Sequence, residues 1–250
     1  MAWTLLLAAC GREEPDAPGG PVVRVWAAAS MTEVVEEVCD RFEASGQGRC
    51  EVAFGSSAVL ARQIEEGGPA DVLFSADPAW SERLEARGLL EVASGGPRIG
   101  NALVVVVPAE AALIPSAPED LRDGRLVRVA LGDPHHVPAG RYARQALEAL
   151  GLWAAVEPRV LGAPDVRAAL ALVESGAAPC GVVYRTDALT SGRVRVAFPL
   201  PQAPDTRMRY VVGRVLGDER SPAASAFLEL FLGEAGREAL IRRGFEVTWD

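Results

Sequence analysis

Residues Leu103-Val104-Val105-Val106-Val107 form an apolar run with no polar alternation, and a strand of that kind must be covered on both faces. Helices packed on either side of a sheet supply that cover, so the run restricts the chain to an architecture that mixes strands and helices. The remaining sequence agrees. Apolar strands are predicted at 22–28, 51–54, 71–75, 127–131, 181–184, 194–198 and 210–214, and helical periodicity alternates with them. Met31, Val34, Val35, Val38 and Phe42 share one helical face, and Ser30-Met31-Thr32-Glu33 predicts a capping box with Ser30 as the N-cap. Further helices are predicted at 58–66, 78–87, 138–150, 166–175, 223–232 and 234–243. This order is α/β with largely parallel sheets, and no internal repeat interrupts it.

Open sheets of this class bind ligands at the carboxyl ends of their strands, where helices begin. Five stretches have that form: Ala27-Ala28-Ala29-Ser30, Phe54-Gly55-Ser56-Ser57, Val137-Pro138-Ala139-Gly140, Pro164-Asp165-Val166-Arg167 and Gly181-Val182-Val183-Tyr184. Helix starts carry unpaired N–H groups and a partial positive charge, so several that converge on one point bind an anion without a cationic side chain.

Composition narrows the chemistry. With 250 residues, 49% of them hydrophobic, the chain can bury a large domain or two lobes. A net charge of −9 excludes the broad basic face that nucleic acid or an anionic membrane surface requires, yet not a small enclosed anion. Every basic residue is Arg, and the two histidines, His135 and His136, are adjacent. There is accordingly no lysine for a P-loop, a Schiff base or a Ser-Lys dyad. The adjacent histidines are expected in a loop, without a catalytic partner. Arg167 is the one cation expected near the five stretches, and an outward surface ion pair is its expected role.

The N-terminus holds a short apolar run, Leu5-Leu6-Leu7-Ala8-Ala9, too short to span a bilayer. Leu7-Ala8-Ala9-Cys10 resembles the lipobox of bacterial lipoproteins, which implies a signal peptide over 1–9, lipidation of Cys10 and a polar, Pro- and Gly-rich tether over 10–21. No Lys or Arg precedes the apolar run, a departure from a full signal. Of the other cysteines, Cys39 and Cys50 can form a disulfide outside the cytoplasm, or Cys39 can be a core residue. Cys180 is the fourth, and no CxxC or Cys/His cluster suggests zinc.

The five stretches, together with Leu60-Ala61-Arg62-Gln63-Ile64, Pro69-Ala70-Asp71 and Gly132-Asp133-Pro134-His135-His136-Val137, resemble in order and spacing the periplasmic molybdate-binding proteins of ABC importers. The resemblance runs from about Val22 to Phe245. It implies a two-lobed periplasmic-binding-protein fold with mixed, largely parallel sheets and a ligand cleft between the lobes. The expected division is 22–100 with 187–250 for lobe 1 and 101–186 for lobe 2. Carried over residue by residue, the ligand contacts fall on Ser30, Ser57, Ala139, Val166 and Tyr184, with no catalytic residue and no cofactor. Molybdenum would be held only as the oxyanion, through those five residues. Read singly, Ser30 and Ser57 are equally helix caps, Ala139 and Val166 ordinary first-turn residues, and Tyr184 core packing.

The function so implied is capture of molybdate, and of tungstate, by a monomeric lipoprotein anchored at a bacterial membrane in the periplasm or at the cell surface. It would deliver the oxyanion to an ABC permease and bind no nucleic acid. A binding protein for another tetrahedral oxyanion such as sulfate is the alternative, followed by an enzyme on the same scaffold or an intracellular oxyanion sensor.

Overall fold

The computed structural model describes residues 20–203, 206, 208–217 and 221–248. The expected signal peptide, Cys10 and most of the tether lie outside them. The described chain runs β1 (Val22–Ala28), α1 (Thr32–Ala44), β2 (Arg49–Gly55), α2 (Ser57–Glu65), β3 (Val72–Ser75), α3 (Pro78–Glu85), β4 (Leu90–Val92), β5 (Arg98–Gly100) and β6 (Leu103–Pro108). It continues with β7 (Val129–Gly132), α4 (Pro138–Ala149), α5 (Trp153–Val156), β8 (Val160–Ala163), α6 (Val166–Glu174), β9 (Cys180–Tyr184), α7 (Arg185–Leu189) and β10 (Val194–Leu200). It closes with β11 (Val211–Val215), α8 (Pro222–Leu232), α9 (Glu234–Arg242) and β12 (Glu246–Thr248).

The fold is α/β in two lobes, each built on one five-stranded sheet. The first has the order β2-β1-β3-β11-β4 and the second β10-β6-β9-β7-β8. Both sheets are mixed: β1 pairs in parallel with β2 and β3, and β7 with β8 and β9, whereas β11, β6 and β10 add antiparallel pairings. The apolar run is β6, whose Val105, Val106 and Val107 are wholly buried. Burying each such side chain contributes about 1.5 to 3 kcal/mol. Helices on both faces account for the lack of alternation.

In the first lobe, α8 lays Phe227 and Phe231 against Phe42 of α1 and Phe74 of β3, edge to face at centroid separations of 5.7 Å for Phe42–Phe227 and 4.6 Å for Phe74–Phe231. That cluster fixes α1 over β1 and β3, and so fixes where α1 begins.

The chain crosses between the sheets twice, from β5 to β6 and from β10 to β11. The two crossovers touch: Tyr210 N–H donates to the Ile99 carbonyl at 2.9 Å. Strand β10 corrects the expected lobe boundary. Val194–Leu200, expected in the first lobe, pairs antiparallel with β6 in the second sheet, because Phe198 and Leu200 bury into that core. The second crossover therefore follows residue 200.

Cys39 is buried in α1, and Cys50 stands at intermediate exposure on β2. Both are free thiols in the structure, and the neighbouring Cys50 thiol, with burial, pushes the Cys39 thiol far up. Cys180 is buried on β9.

Candidate functional site

Between the two sheets lies a small cavity of about 10 Å³, lined by Ser30, Ser57, Ala139, Val166 and Tyr184 among others. That is room for about one water-sized sphere, far below the roughly 300 to 1,000 Å³ of pockets that take drug-sized ligands. All five residues are nearly inaccessible, with exposures of 1 to 4%. The structure thus brings together every residue expected at the site, from β1–α1 and α2 on one side and α4, α6 and β9 on the other.

Local sequence aims these groups. Ser56, in extended conformation, is the N-cap of α2, and its hydroxyl accepts the N–H of Val59. Asp165 caps α6 in the same way, taking the N–H of Ala168 at 2.9 Å. Each cap satisfies the third N–H of its helix, which leaves the first two, beginning at Ser57 and at Val166, without an intrahelical acceptor. Pro138 opens α4, so Ala139 carries the first N–H of that helix.

The α4 start is held there by Gly140. A Cβ added at Gly140 would lie 1.8 Å from the Gly132 carbonyl oxygen at the end of β7. Only glycine lets the helix backbone approach the strand so closely.

The hydroxyls complete the lining. Ser57 Oγ accepts the Ala76 N–H at 2.9 Å, a bond that uses a lone pair and leaves the hydroxyl proton for another acceptor. Ser30 Oγ lies 2.8 Å from Tyr210 Oη. The Tyr184 hydroxyl is fully buried and has no hydrogen-bond partner in the structure. Burial holds that phenol well above its ordinary pKa, so it remains a neutral donor. A buried polar group without a partner is costly, and an anion that accepts its proton would relieve that cost.

The expected capping box is not formed. Ser30 lies in a 3-10 turn, Ala29–Met31, Met31 is the N-cap of α1, and the Thr32 hydroxyl donates to the Ala29 carbonyl instead. The reason lies in the partners of Ser30 and Glu33. Tyr210 engages the serine, and Arg167 draws the glutamate away from the helix end.

Arg167 is likewise not an outward surface pair. Its Nη1 and Nη2 donate to the two carboxylate oxygens of Glu33 at 2.8 and 2.5 Å, and its Nε to Asp187 Oδ1 at 2.6 Å. The guanidinium is thus consumed by two carboxylates and bridges the lobes. A second pair, Arg141 to Asp77, likewise bridges the lobes, from α4 to the N-cap of α3. Asp187 is wholly buried with Oδ2 unpartnered, and burial pushes its carboxyl up to about 7 despite the Arg167 charge.

No Arg is among the described residues that line the cavity. The adjacent histidines sit in the turn before α4, where the His135 N–H donates to Asp133 Oδ1 and His136 Nδ1 lies 3.5 Å from the same oxygen, part exposed. Among the described residues no group of three His, Cys, Asp or Glu side chains is arranged to hold a metal ion. Tyr210, Asn101 and Asp187 have no local motif that marks them, and Glu33 was expected only in the capping box.

The family model for bacterial extracellular solute-binding proteins matches residues 23–246. The molybdate-binding protein ModA of Escherichia coli K12 is 37% identical over 232 residues, 90% of this chain and 89% of that protein. Among solved structures, the periplasmic molybdate-binding protein of Azotobacter vinelandii superposes with a TM-score of 0.75 at 22% identity, over 90% of this chain and 99% of that one. The sulfate-binding protein SubI of Mycobacterium tuberculosis H37Rv superposes at 0.76 with 19% identity, over 90% and 86%. At those identities the two structural likenesses show the fold and do not choose between the ligands.

Proposed function

The chain belongs to the bacterial extracellular solute-binding protein family, and on that premise we propose that it captures molybdate, and tungstate with it, and delivers the oxyanion to an ABC permease. The family binds solutes and is not one of enzymes. The observation that carries the reading is the donor-rich lining of the cavity: the Ser30, Ser57 and Tyr184 hydroxyls with the helix-start N–H groups at Ser57, Ala139 and Val166, one carboxylate, Asp165, and no cation. A fully deprotonated tetrahedral dianion accepts at every oxygen, so it suits such a lining. A protonated phosphate would need an acceptor. The one carboxylate on the lining, Asp165, is engaged through Oδ1 as the N-cap of α6.

Hydrogen bonds to a charged group contribute about 1.5 to 3 kcal/mol each, so five or six support submicromolar binding after the cost of association. The 37% identity to a molybdate-binding protein favours molybdate over sulfate. In this reading the first sheet and its helices form one lobe, the second sheet the other, and the anion bridges them as a monomer closes. Lipidation of Cys10 would anchor the protein to a bacterial membrane, in the periplasm or at the cell surface.

Calorimetric titration with molybdate, tungstate, sulfate and phosphate tests the function. Molybdate and tungstate are expected to bind at least a hundredfold more tightly than sulfate, about 2.7 kcal/mol. Sulfate affinity comparable to that of molybdate would overturn the molybdate assignment and leave an oxyanion site. Release of the protein from membranes by Cys10→Ser tests the anchor.

A further inference from the structure

We propose that Tyr210 and Asn101 are positioning residues of the oxyanion site, which fix the hydroxyl of Ser30 so that its proton points at the anion. The inference rests on the reading of the cavity as an oxyanion site and adds to it two residues that do not line the cavity.

The argument is an accounting of protons. Asn101 Oδ1 accepts the Ala102 N–H at 2.9 Å, which settles the orientation of the side-chain amide. Its Nδ2 is then the donor on the other side, to Thr186 Oγ1 at 2.8 Å and to Tyr210 Oη at 3.3 Å. Tyr210 Oη therefore receives one proton and has one of its own to place. The neighbour that can take it is Ser30 Oγ, at 2.8 Å. Were Ser30 the donor instead, the tyrosine proton would be left unpaired in a site where Tyr210 is 3% exposed and Asn101 1%, at the cost of an orphaned buried donor. The chain thus runs from Asn101 N–H through Tyr210 O–H to Ser30 Oγ, and the remaining serine proton is directed into the cavity. It is the side-chain counterpart of Ala76 N–H acting on Ser57 Oγ.

The location gives the relay a further property. Asn101 sits on the first crossover between the lobes and Tyr210 at the end of the second, bridged to Ile99. Thr186, the other acceptor of the Asn101 amide, follows β9 in the second lobe. Ser30 is therefore oriented from the hinge. The Tyr210 ring is held by Phe245, edge to face at 5.4 Å, and by Tyr184 at 6.1 Å, so Tyr210→Phe retains the packing and removes only the hydroxyl.

The test is a double-mutant cycle read by calorimetric titration with molybdate on the wild type, Tyr210→Phe, Ser30→Ala and the double variant. Tyr210→Phe is expected to weaken binding about tenfold in the wild-type background. In the Ser30→Ala background it should change affinity less than about twofold, because its effect passes through the serine. Asn101→Asp extends the cycle. A carboxylate would draw the tyrosine proton to itself, turn Ser30 into a donor to Tyr210 and present serine lone pairs to the anion. The loss should exceed that of Tyr210→Phe and should shrink when Ser30 is alanine. Equal losses in both serine backgrounds, or an undiminished Tyr210→Phe, would overturn the positioning role while leaving molybdate binding intact. A wild type that binds none of molybdate, tungstate, sulfate or phosphate would instead overturn the oxyanion reading and the relay with it.

Discussion

Arg167 on α6 and Glu33 on α1, 134 residues apart, meet across the cleft, Nη1 donating to Oε1 and Nη2 to Oε2. Opening the lobes must break this pair, and with it Arg141–Asp77. Neither arginine lines the cavity. The cations are thus spent on holding the lobes together, and the lining itself is left without one.

That division predicts a kinetic effect. Glu33→Gln removes a contact that exists only when the lobes are together, so the closed state loses stability and the anion escapes faster. A partly buried, bidentate pair of this kind is worth about 1 kcal/mol or somewhat more, since its side chains remain 25 and 24% exposed. Molybdate dissociation is expected to accelerate roughly three- to tenfold, with association little changed. Stopped-flow displacement measures both rates, and an unchanged dissociation rate would remove the closure role from the pair.

The same pair marks the limit of what could be read from sequence. The strands and helices that bear the site were legible because their signals are local: an apolar run, a 3.6-residue period, a Ser or Asp before it. All five helix-start and strand-end stretches do meet at one cavity. What failed was long-range. Ser30-Met31-Thr32-Glu33 satisfies the capping pattern, but Tyr210, 180 residues away, and Arg167 compete successfully for its two polar side chains. Strand β8 and helix α5, Val160–Ala163 and Trp153–Val156, were missed: four residues reveal no period, and β3 and β7, of the same length, were legible only from their apolar runs. The partner sheet of β10 was not legible either, since strand pairing carries no mark in a single strand's own residues.

Gly140→Ala should disable the second lobe's contribution. The added Cβ would meet the Gly132 carbonyl oxygen at 1.8 Å and the Asp133 carbonyl oxygen at 2.8 Å, and both are backbone atoms that cannot rotate aside. The α4 start must then move away from β7, carrying the Ala139 N–H with it. Overpacking costs typically about 1 to 3 kcal/mol, and a backbone clash lies at the upper end or beyond. Chemical denaturation should show that loss, and calorimetry a weaker molybdate affinity. A variant as stable as the wild type would contradict the packing of α4 on β7.

Asp187 predicts a pH dependence. Its carboxyl is raised from the ordinary 3.8 to about 7, burial outweighing the Arg167 guanidinium. Between those values the native state holds a proton that the unfolded chain has lost. The contribution of this group to stability is therefore present in full below about pH 4 and is lost as the pH rises through about 7. Asp187→Asn does not titrate. The melting temperature of the wild type minus that of the variant should fall between about pH 5 and pH 8. Thermal melts at matched ionic strength check the sign, and a difference that stays flat across that range would mean that Asp187 is ionised in the folded protein throughout.

Ser57→Ala should produce two effects that separate in measurement, because Ser57 Oγ has two tasks. It accepts the buried Ala76 N–H, and without it that N–H is orphaned, at about 1 to 3 kcal/mol. The unliganded protein should therefore melt at a lower temperature. The hydroxyl proton is the second task. Losing a donor to a desolvated dianion costs about 1.5 to 3 kcal/mol, or roughly tenfold to a hundredfold in molybdate affinity. His135→Ala, in the exposed turn before α4, should change neither quantity and controls for substitution alone. Calorimetry and thermal melts on the same preparations distinguish the two tasks. Lower stability with undiminished affinity would keep Ser57 as a structural acceptor and remove it from the anion site.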